Sequence, residues 1–171
     1  AAGARQKATL LGQGTGGAGK TVLASSIARD SEVRLRFNKI CFVAVGQHEG
    51  VAQDQQRSLH FQLTKSKLPA ELREESEVFA ALEAAAVDKN VLLVIDDAWS
   101  KEQVSLLNCI DPRTRSRALV TTRISGLVPG APAEFSLGIL SPEDAVAMLL
   151  EVAGMRMVPP YAPLAYRAAE A

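Results

Sequence analysis

The run Gly14-Thr15-Gly16-Gly17-Ala18-Gly19-Lys20-Thr21 fits the pattern G-x-x-x-x-G-K-[ST] at every fixed position. Few octapeptides restrict a fold as strongly, because this one needs a strand delivering it and a helix leaving it. Lys7 to Leu11 (KATLL) reads as a short buried strand before the run, and Thr21 to Ala28 (TVLASSIA) as a helix after it. Glycines let consecutive backbone N–H groups turn inward with no Cβ in the way, forming an anion nest. The helix adds the positive end of its dipole at the same place. The pattern therefore predicts a cradle for a phosphate tail built from Gly14, Thr15, Gly16, Gly17, Ala18, Gly19, Lys20, Thr21 and Val22. Lys20 would bring a mobile ammonium to the β- and γ-phosphates, and the Thr21 hydroxyl one oxygen to Mg²⁺. The competing reading is a glycine-rich turn with a lysine nearby.

A chain of 171 residues fits one domain and is long enough to bury a real core. Lys plus Arg equal Asp plus Glu at 19 each, so no global charge draws it toward nucleic acid or anionic membrane, although a local patch stays open. Cys41 and Cys109 lack metal-ligand spacing and are expected to be reduced and buried. The apolar runs fall far short of the roughly 18 residues of a membrane span. A cytoplasmic setting is expected. The chain starts without methionine and stops in an apparent helix, so it reads as a piece of a longer protein.

Apolar, β-branched runs alternate with helical patterns, which predicts a parallel sheet with crossover helices. After the first strand come Ile40 to Val45 (ICFVAV), Val91 to Ile95 (VLLVI), Ala118 to Thr122 (ALVTT) and a weaker Glu134 to Leu137. Two amphipathic helices separate strands two and three. One runs from about Val51 to Leu63, with Leu59 and Leu63 on one side. The other spans Ser76 to Val87, with Val78, Phe79, Leu82 and Ala86 facing inward. Gln103 to Leu107 is a short helix. Ser141 to Val152 is a further helix, opened by an N-cap serine, with Ala145, Met148, Leu149 and Val152 as its apolar face.

Strand three ends Val94-Ile95-Asp96-Asp97, which delivers two carboxylates at its C-terminal end, where ligands of open α/β sheets sit. Asp96 is the candidate for orienting Mg²⁺ through a water, and Asp97 for orienting or deprotonating an attacking water. Alternatively, both only cap the loop before a helix beginning near Ser100. One strand intervenes between the glycine run and the acidic strand, which suggests the P-loop class whose fourth strand lies between the two, in the order 5-1-4-3-2. The tip of that strand, Leu119-Val120-Thr121-Thr122-Arg123, would approach a γ-phosphate. Arg123 could contact it with two hydrogen bonds, or be a solvated strand-end cation.

Taken together, GTGGAGKTVLA, FNKICFVAVGQ, LLVIDDAW, LVTTR and FSLGILSPEDAVAMLL occur in order over about Leu10 to Leu150. In this the chain resembles the NB-ARC branch of the STAND nucleotide-triphosphate switches, the ATPase modules of plant resistance proteins and apoptosome scaffolds. The resemblance implies a P-loop NTPase three-layer α/β/α sandwich with a five-stranded parallel sheet. It implies ADP and ATP with Mg²⁺ as cofactors and a role in defence signalling. Exchange and slow hydrolysis would control conformation and self-association of a larger parent. Carried over to this chain, Gly16 to Thr21 would bind phosphates, and Thr21 and Asp96 the metal side. Asp97 would serve hydrolysis and Arg123 would sense the γ-phosphate.

The resemblance also sets the domain reading: residues 1–154 as the nucleotide-binding part and 155–171 as the start of a truncated helical subdomain. The Gly-Leu-Pro-Leu-type motif of that subdomain and the winged-helix histidine motif are missing, and probable repeat domains would belong to the parent. Competing functions are a metabolic P-loop kinase, for which Arg113, Arg115 and Arg117 would have to be a lid, a nucleic-acid-stimulated ATPase, and a scaffold that binds no nucleotide. The arginine cluster reads more simply as a solvated loop before strand four. His48 and His60 carry no catalytic or metal expectation.

Overall fold

The computed structural model describes residues 9–47, 52–131 and 133–152. The expected positions Lys7, His48 and Val51, and the expected subdomain start at 155–171, lie outside them. Two compact units are present, Ala1–Leu137 and Gly138–Ala171. The first holds β1 (Thr9–Gly14), α1 (Lys20–Arg29), α2 (Ser31–Arg36), β2 (Lys39–Ala44), α3 (Ala52–Thr64), α4 (Glu75–Ala86), β3 (Val91–Ala98), α5 (Lys101–Leu107), β4 (Arg117–Thr122) and β5 (Ala133–Leu137). All strand pairs are parallel, in the order β2-β3-β4-β1-β5, which is the expected 5-1-4-3-2 read from the other edge. The fold is the P-loop α/β sandwich.

The sheet is covered on both faces, as parallel sheets with crossover helices must be. Alternate residues of each strand supply the two cores. Leu11, Cys41, Val43, Leu93, Ile95, Ala118 and Val120 pack with Leu59 and Leu63 of α3, Leu82 of α4 and Leu107 of α5. Leu10, Ile40, Phe42, Leu92, Val94 and Leu119 take the other face, with Ala24 and Ile27 of α1 and Val33 of α2. β3 is buried at every position but Asp97 because it is central and sandwiched. Cys41 and Cys109 are both free and buried, and burial pushes the Cys41 thiol up to about 11, which leaves it protonated and inert at neutral pH.

α2 has no counterpart in the expected elements. Its start is nonetheless encoded locally, since the Asp30 carboxylate accepts the Val33 N–H at 3.0 Å. β2 is an edge strand, and α3 blunts it with glutamine side chains. Gln62 accepts the Phe42 N–H at 2.9 Å and donates to the Phe42 carbonyl at 3.0 Å. Gln55 donates to the carbonyls of Ala44 and Val45 at 2.9 and 3.1 Å. Side chains thus stand in for a sixth strand and cap groups that would otherwise pair with another chain. The inward side of α4 is Val78, Leu82, Ala85 and Ala86, with Phe79 partly buried beside them.

In the second unit, α6 (Pro142–Val152) is capped as expected, the Ser141 hydroxyl accepting the Asp144 N–H at 3.1 Å. Its buried side chain is Val146, whereas Met148 and Leu149 are half exposed. In a helix as uniformly apolar as Ala-Val-Ala-Met-Leu-Leu, the 3.6-residue period does not select one face. Among the described residues no helix is long and apolar enough to cross a membrane.

Candidate functional site

The C-terminal ends of β1, β2, β3 and β4 surround a cleft of about 520 Å³ lined by Gly17, Gly19, Lys20, Thr21, Val22, Ala44, Val45, Gly46, Asp96, Asp97 and Arg123. The glycine run between β1 and α1 forms one wall. Gly17 and Gly19 sit at φ of 81° and 86°, the left-handed region that a side chain strains to enter. Gly19 is the N-cap of α1 and no side chain caps the helix, so its first-turn N–H groups have neither an intrahelical nor a side-chain acceptor.

Lys20 is buried, and its ammonium donates to the carbonyls of Gly14 and Thr15, both at 2.8 Å. Two carbonyl dipoles solvate a buried cation less well than two phosphate oxygens would, so the ammonium is held ready rather than fully satisfied. The Thr21 hydroxyl donates to Asp96 Oδ2 at 2.8 Å, which joins the start of α1 to the end of β3. Lys20 and Asp96 therefore face one cleft from two sides.

Asp96 and Asp97 are sequence neighbours and in a regular strand would point to opposite faces. Here the β3–β4 register slips: Ile95 pairs with Val120 but Ala98 with Thr122, so β3 carries one extra residue. Asp97 sits in that bulge at φ of 56°, a left-handed conformation that aspartate tolerates better than most residues. The bulge turns both carboxylates into the cleft. Thr121 holds it together, accepting the Asp97 N–H at 2.9 Å and donating its hydroxyl proton to Asp96 Oδ1 at 2.5 Å. Asp96 thereby receives hydroxyls from α1 and β4 at once. β2 is tied in as well, since Val45 N–H donates to the Asp96 carbonyl at 2.8 Å and Gly46 N–H to that of Asp97 at 3.1 Å. The helix that follows is capped by Ser100, which forms a capping box with Gln103. The aspartates are not its caps.

Arg123, just past β4, places its Nε 3.5 Å from Asp97 Oδ1 and its guanidinium carbon 5.3 Å from the centre of the Trp99 ring. It also reaches the glycine loop: a Cβ added to Gly16 would lie 3.1 Å from an Arg123 guanidinium nitrogen. The arginine thus spans the acidic strand end and the phosphate cradle. Gly17, Gly19, Lys20, Thr21, Val22, Asp96, Asp97 and Arg123 are brought together, while Gly14, Thr15, Gly16 and Ala18 shape the loop behind them. Sequence reasoning missed the contributions of Thr121 and of Ala44-Val45-Gly46. The Thr-Thr-Arg block and the glycine ending strand two were the available signals.

Among the described residues no group of three His, Cys, Asp or Glu side chains could hold a metal by itself. Thr21 and Asp96 fit a divalent ion whose other ligands come from phosphate and water: a hydroxyl and a carboxylate are hard oxygen donors, and the two are already 2.8 Å apart. The uncapped helix start and the glycines of the loop fit a phosphate in the same place.

Comparison with known proteins bears on the family and the fold. The family model of the NB-ARC domain matches residues 5–158. Two Arabidopsis thaliana proteins, "Probable disease resistance RPP8-like protein 4" and "Disease resistance protein RPP8", are each 31% identical, over 146 and 140 residues; each match covers 77% of this chain. The chain spans only 15% of the length of either relative. Among solved structures, a signal transduction ATPase with numerous domains (STAND) from Pyrococcus horikoshii, which carries a tetratricopeptide repeat sensor, aligns with a TM-score of 0.60 at 20% identity. That alignment covers 92% of this chain and 25% of that one. The Aeropyrum pernix ORC1 protein, solved in complex with DNA, aligns with a TM-score of 0.60 at 16% identity, over 96% of this chain and 49% of that one. At these identities the two structures speak for the fold alone. With the family model matching nearly the whole chain, this protein belongs to the NB-ARC domain family of P-loop nucleotide-binding modules.

Proposed function

We propose that this chain is the nucleotide-binding part of a STAND-type signalling switch. It takes ADP and ATP with Mg²⁺ and hydrolyses ATP slowly, which sets the conformation and self-association of a longer cytoplasmic protein that acts in defence. Residues 1–154 form the nucleotide-binding domain, and 155–171 lead into a helical subdomain. The observation that carries this reading is the convergence of Lys20, Thr21, Asp96, Asp97 and Arg123 on one cleft, beside the uncapped start of α1.

The loop amides and the α1 dipole bind the phosphates. Lys20 exchanges its two carbonyl acceptors for β- and γ-phosphate oxygens, which stay close to where the carbonyls hold it. Thr21 and Asp96 hold Mg²⁺, which neutralises phosphate charge when bound. Asp97 orients the attacking water or takes its proton. Arg123 leaves Asp97 for a terminal phosphate, so a triphosphate gains a contact that a diphosphate lacks. That difference is what a ligand needs to shift a conformational equilibrium, because equal affinity for two states shifts nothing.

Titration calorimetry of this chain with a non-hydrolysable ATP analogue and Mg²⁺ tests the reading. Lys20→Ala removes two charge-assisted contacts, worth about 3 kcal/mol together, and should weaken binding roughly 100-fold. Equal affinity of parent and variant would take Lys20 out of the site and the proposal with it.

A further inference from the structure

We infer that the N-terminal ends of β2, β3 and β4 form a docking surface for an acidic peptide segment that carries large aliphatic side chains. This surface is independent of the nucleotide cleft and sits at the opposite edge of the sheet. A cleft of about 860 Å³ lies there, lined by Leu35, Arg36, Phe37, Asn38, Asn90, Arg115 and Arg117.

The charge of this cleft is one-sided. Arg36, Arg115 and Arg117 are exposed, and among the described residues none of them pairs with a carboxylate. The acids of the adjoining loops are already engaged, as Arg113 holds Asp111 at 2.8 Å and lies 3.9 Å from Asp88. Three guanidinium groups around one cleft repel one another, and an anionic partner relieves that repulsion. The overall balance of 19 basic and 19 acidic residues conceals this local excess.

The floor of the cleft is pre-organised. Asn38 Oδ1 accepts the Asn90 N–H at 3.2 Å, the Asn90 carbonyl accepts the Asn38 N–H at 2.8 Å, and Asn90 Oδ1 accepts the Arg115 N–H at 2.9 Å. These bonds fix the three strand-entry loops to one another, so a partner need order only side chains on binding.

The rim carries the second half of the recognition. Leu35 is 87% exposed while its neighbours Val33 and Phe37 pack into the core beneath α2. A single exposed leucine is ordinary, but here it stands beside three arginines with no carboxylate partner among the described residues, of which Arg117 donates to the Ser116 carbonyl at 2.8 Å. A peptide of acids and aliphatics would use both features. A phosphate backbone would use the arginines and leave Leu35 in water, and the one aromatic lining the cleft, Phe37, is partly buried and packed against the core beneath α2, which leaves little of its ring for a base to stack on.

The test is fluorescence anisotropy of this chain with a dye-labelled peptide of alternating glutamate and leucine. The same peptide with glutamine for glutamate and a thymidine oligomer of equal charge serve as controls. The glutamate peptide should bind at least tenfold more tightly than the glutamine peptide. Arg36→Gln/Arg115→Gln/Arg117→Gln should lose about tenfold, as three exposed ion pairs at a few-fold each would give. Leu35→Ser should lose several-fold, and Lys20→Ala should change nothing. The substituted side chains are exposed, and an unchanged thermal midpoint verifies that the variants fold. Absent binding, or binding that the triple variant leaves intact, would overturn the inference. So would an oligomer that binds more tightly through the same arginines and is indifferent to Leu35→Ser; that result would reassign the surface to nucleic acid.

Discussion

At the C-terminal ends of β2, β3 and β4, charged groups hold one another through contacts that a ligand can take over. At the N-terminal ends, the polar groups beneath the rim are bound to backbone and stay there. Lys20 rests on two carbonyls and Arg123 lies 3.5 Å from Asp97, while the amides opening α1 have no side-chain cap. At the other end Asp111 is buried and accepts from Asp88 N–H, Arg113 N–H and the Arg113 guanidinium at 2.8 to 3.1 Å. Ser116 there bridges the Val91 N–H and the Lys89 carbonyl, both at 2.8 Å. What separates a binding site from a structural knot is whether the donors have permanent partners.

The sharpest way to break this comparison is to exchange consequences between the ends. Lys20→Ala should weaken nucleotide binding roughly 100-fold and leave the thermal midpoint within a few degrees of the parent, since only two replaceable hydrogen bonds are lost. Asp111→Ala should do the reverse. Losing the four hydrogen bonds that the buried carboxylate accepts costs about 2–3 kcal/mol, or roughly 5–10 °C in thermal midpoint for a chain this size, with nucleotide affinity little changed. Differential scanning calorimetry and titration calorimetry on both variants measure the contrast, and it fails if the two behave alike.

Within the site, Thr121→Val keeps shape and removes the hydroxyl that links Asp96 to the Asp97 amide. The Mg²⁺-dependent part of nucleotide affinity should fall about tenfold, whereas affinity measured in a chelator should hardly move. Arg123→Gln should cost several-fold for a non-hydrolysable ATP analogue and leave ADP affinity as it is. An equal loss for both nucleotides would show that the arginine does not distinguish them.

The smallest effect concerns pH at the structural end. The Arg113 side chain and backbone hold the Asp111 carboxyl well below the usual carboxylate range. A folded-state pKa below the unfolded value of about 3.9 stabilises the fold above that value, and the gain is lost as pH falls through the folded pKa. The stability gap between parent and Asp111→Ala should therefore be constant from about pH 8 to 5 and narrow only below about pH 4. Denaturant titrations across that range would follow it, and a gap that widens in acid would contradict the assignment.

Much of the fold was legible because its signals are local. Each of the five expected strands is present, and their order followed from one intervening strand and the position of the acids. The helix after β3 begins at Lys101, beside the start expected near Ser100 and two residues ahead of the expected short helix Gln103 to Leu107, because Ser100 and Gln103 complete a capping box. α2 was missed because six residues give no clear period, although Asp30 marked its start. On α6 the residues were readable as a helix but not its buried face, because the run 145–150 is apolar at every position.

What the sequence by itself determined is the chemistry of the two chain segments that meet: glycines that permit left-handed turns, an ammonium and a hydroxyl after them, and two acids after an apolar strand. These are properties of consecutive residues, and local sterics decide them. Only the tertiary structure decided how they are aimed. The extra residue in β3 turns both Asp96 and Asp97 inward, Thr121 of β4 locks that bulge, and Arg123 settles between Asp97, Trp99 and the glycine loop. It likewise gathered Arg36 with Arg115 and Arg117 into one basic cleft that a balanced composition gave no reason to expect. Register between strands and proximity across the sheet arise from packing among distant residues, and no short stretch of chain encodes them.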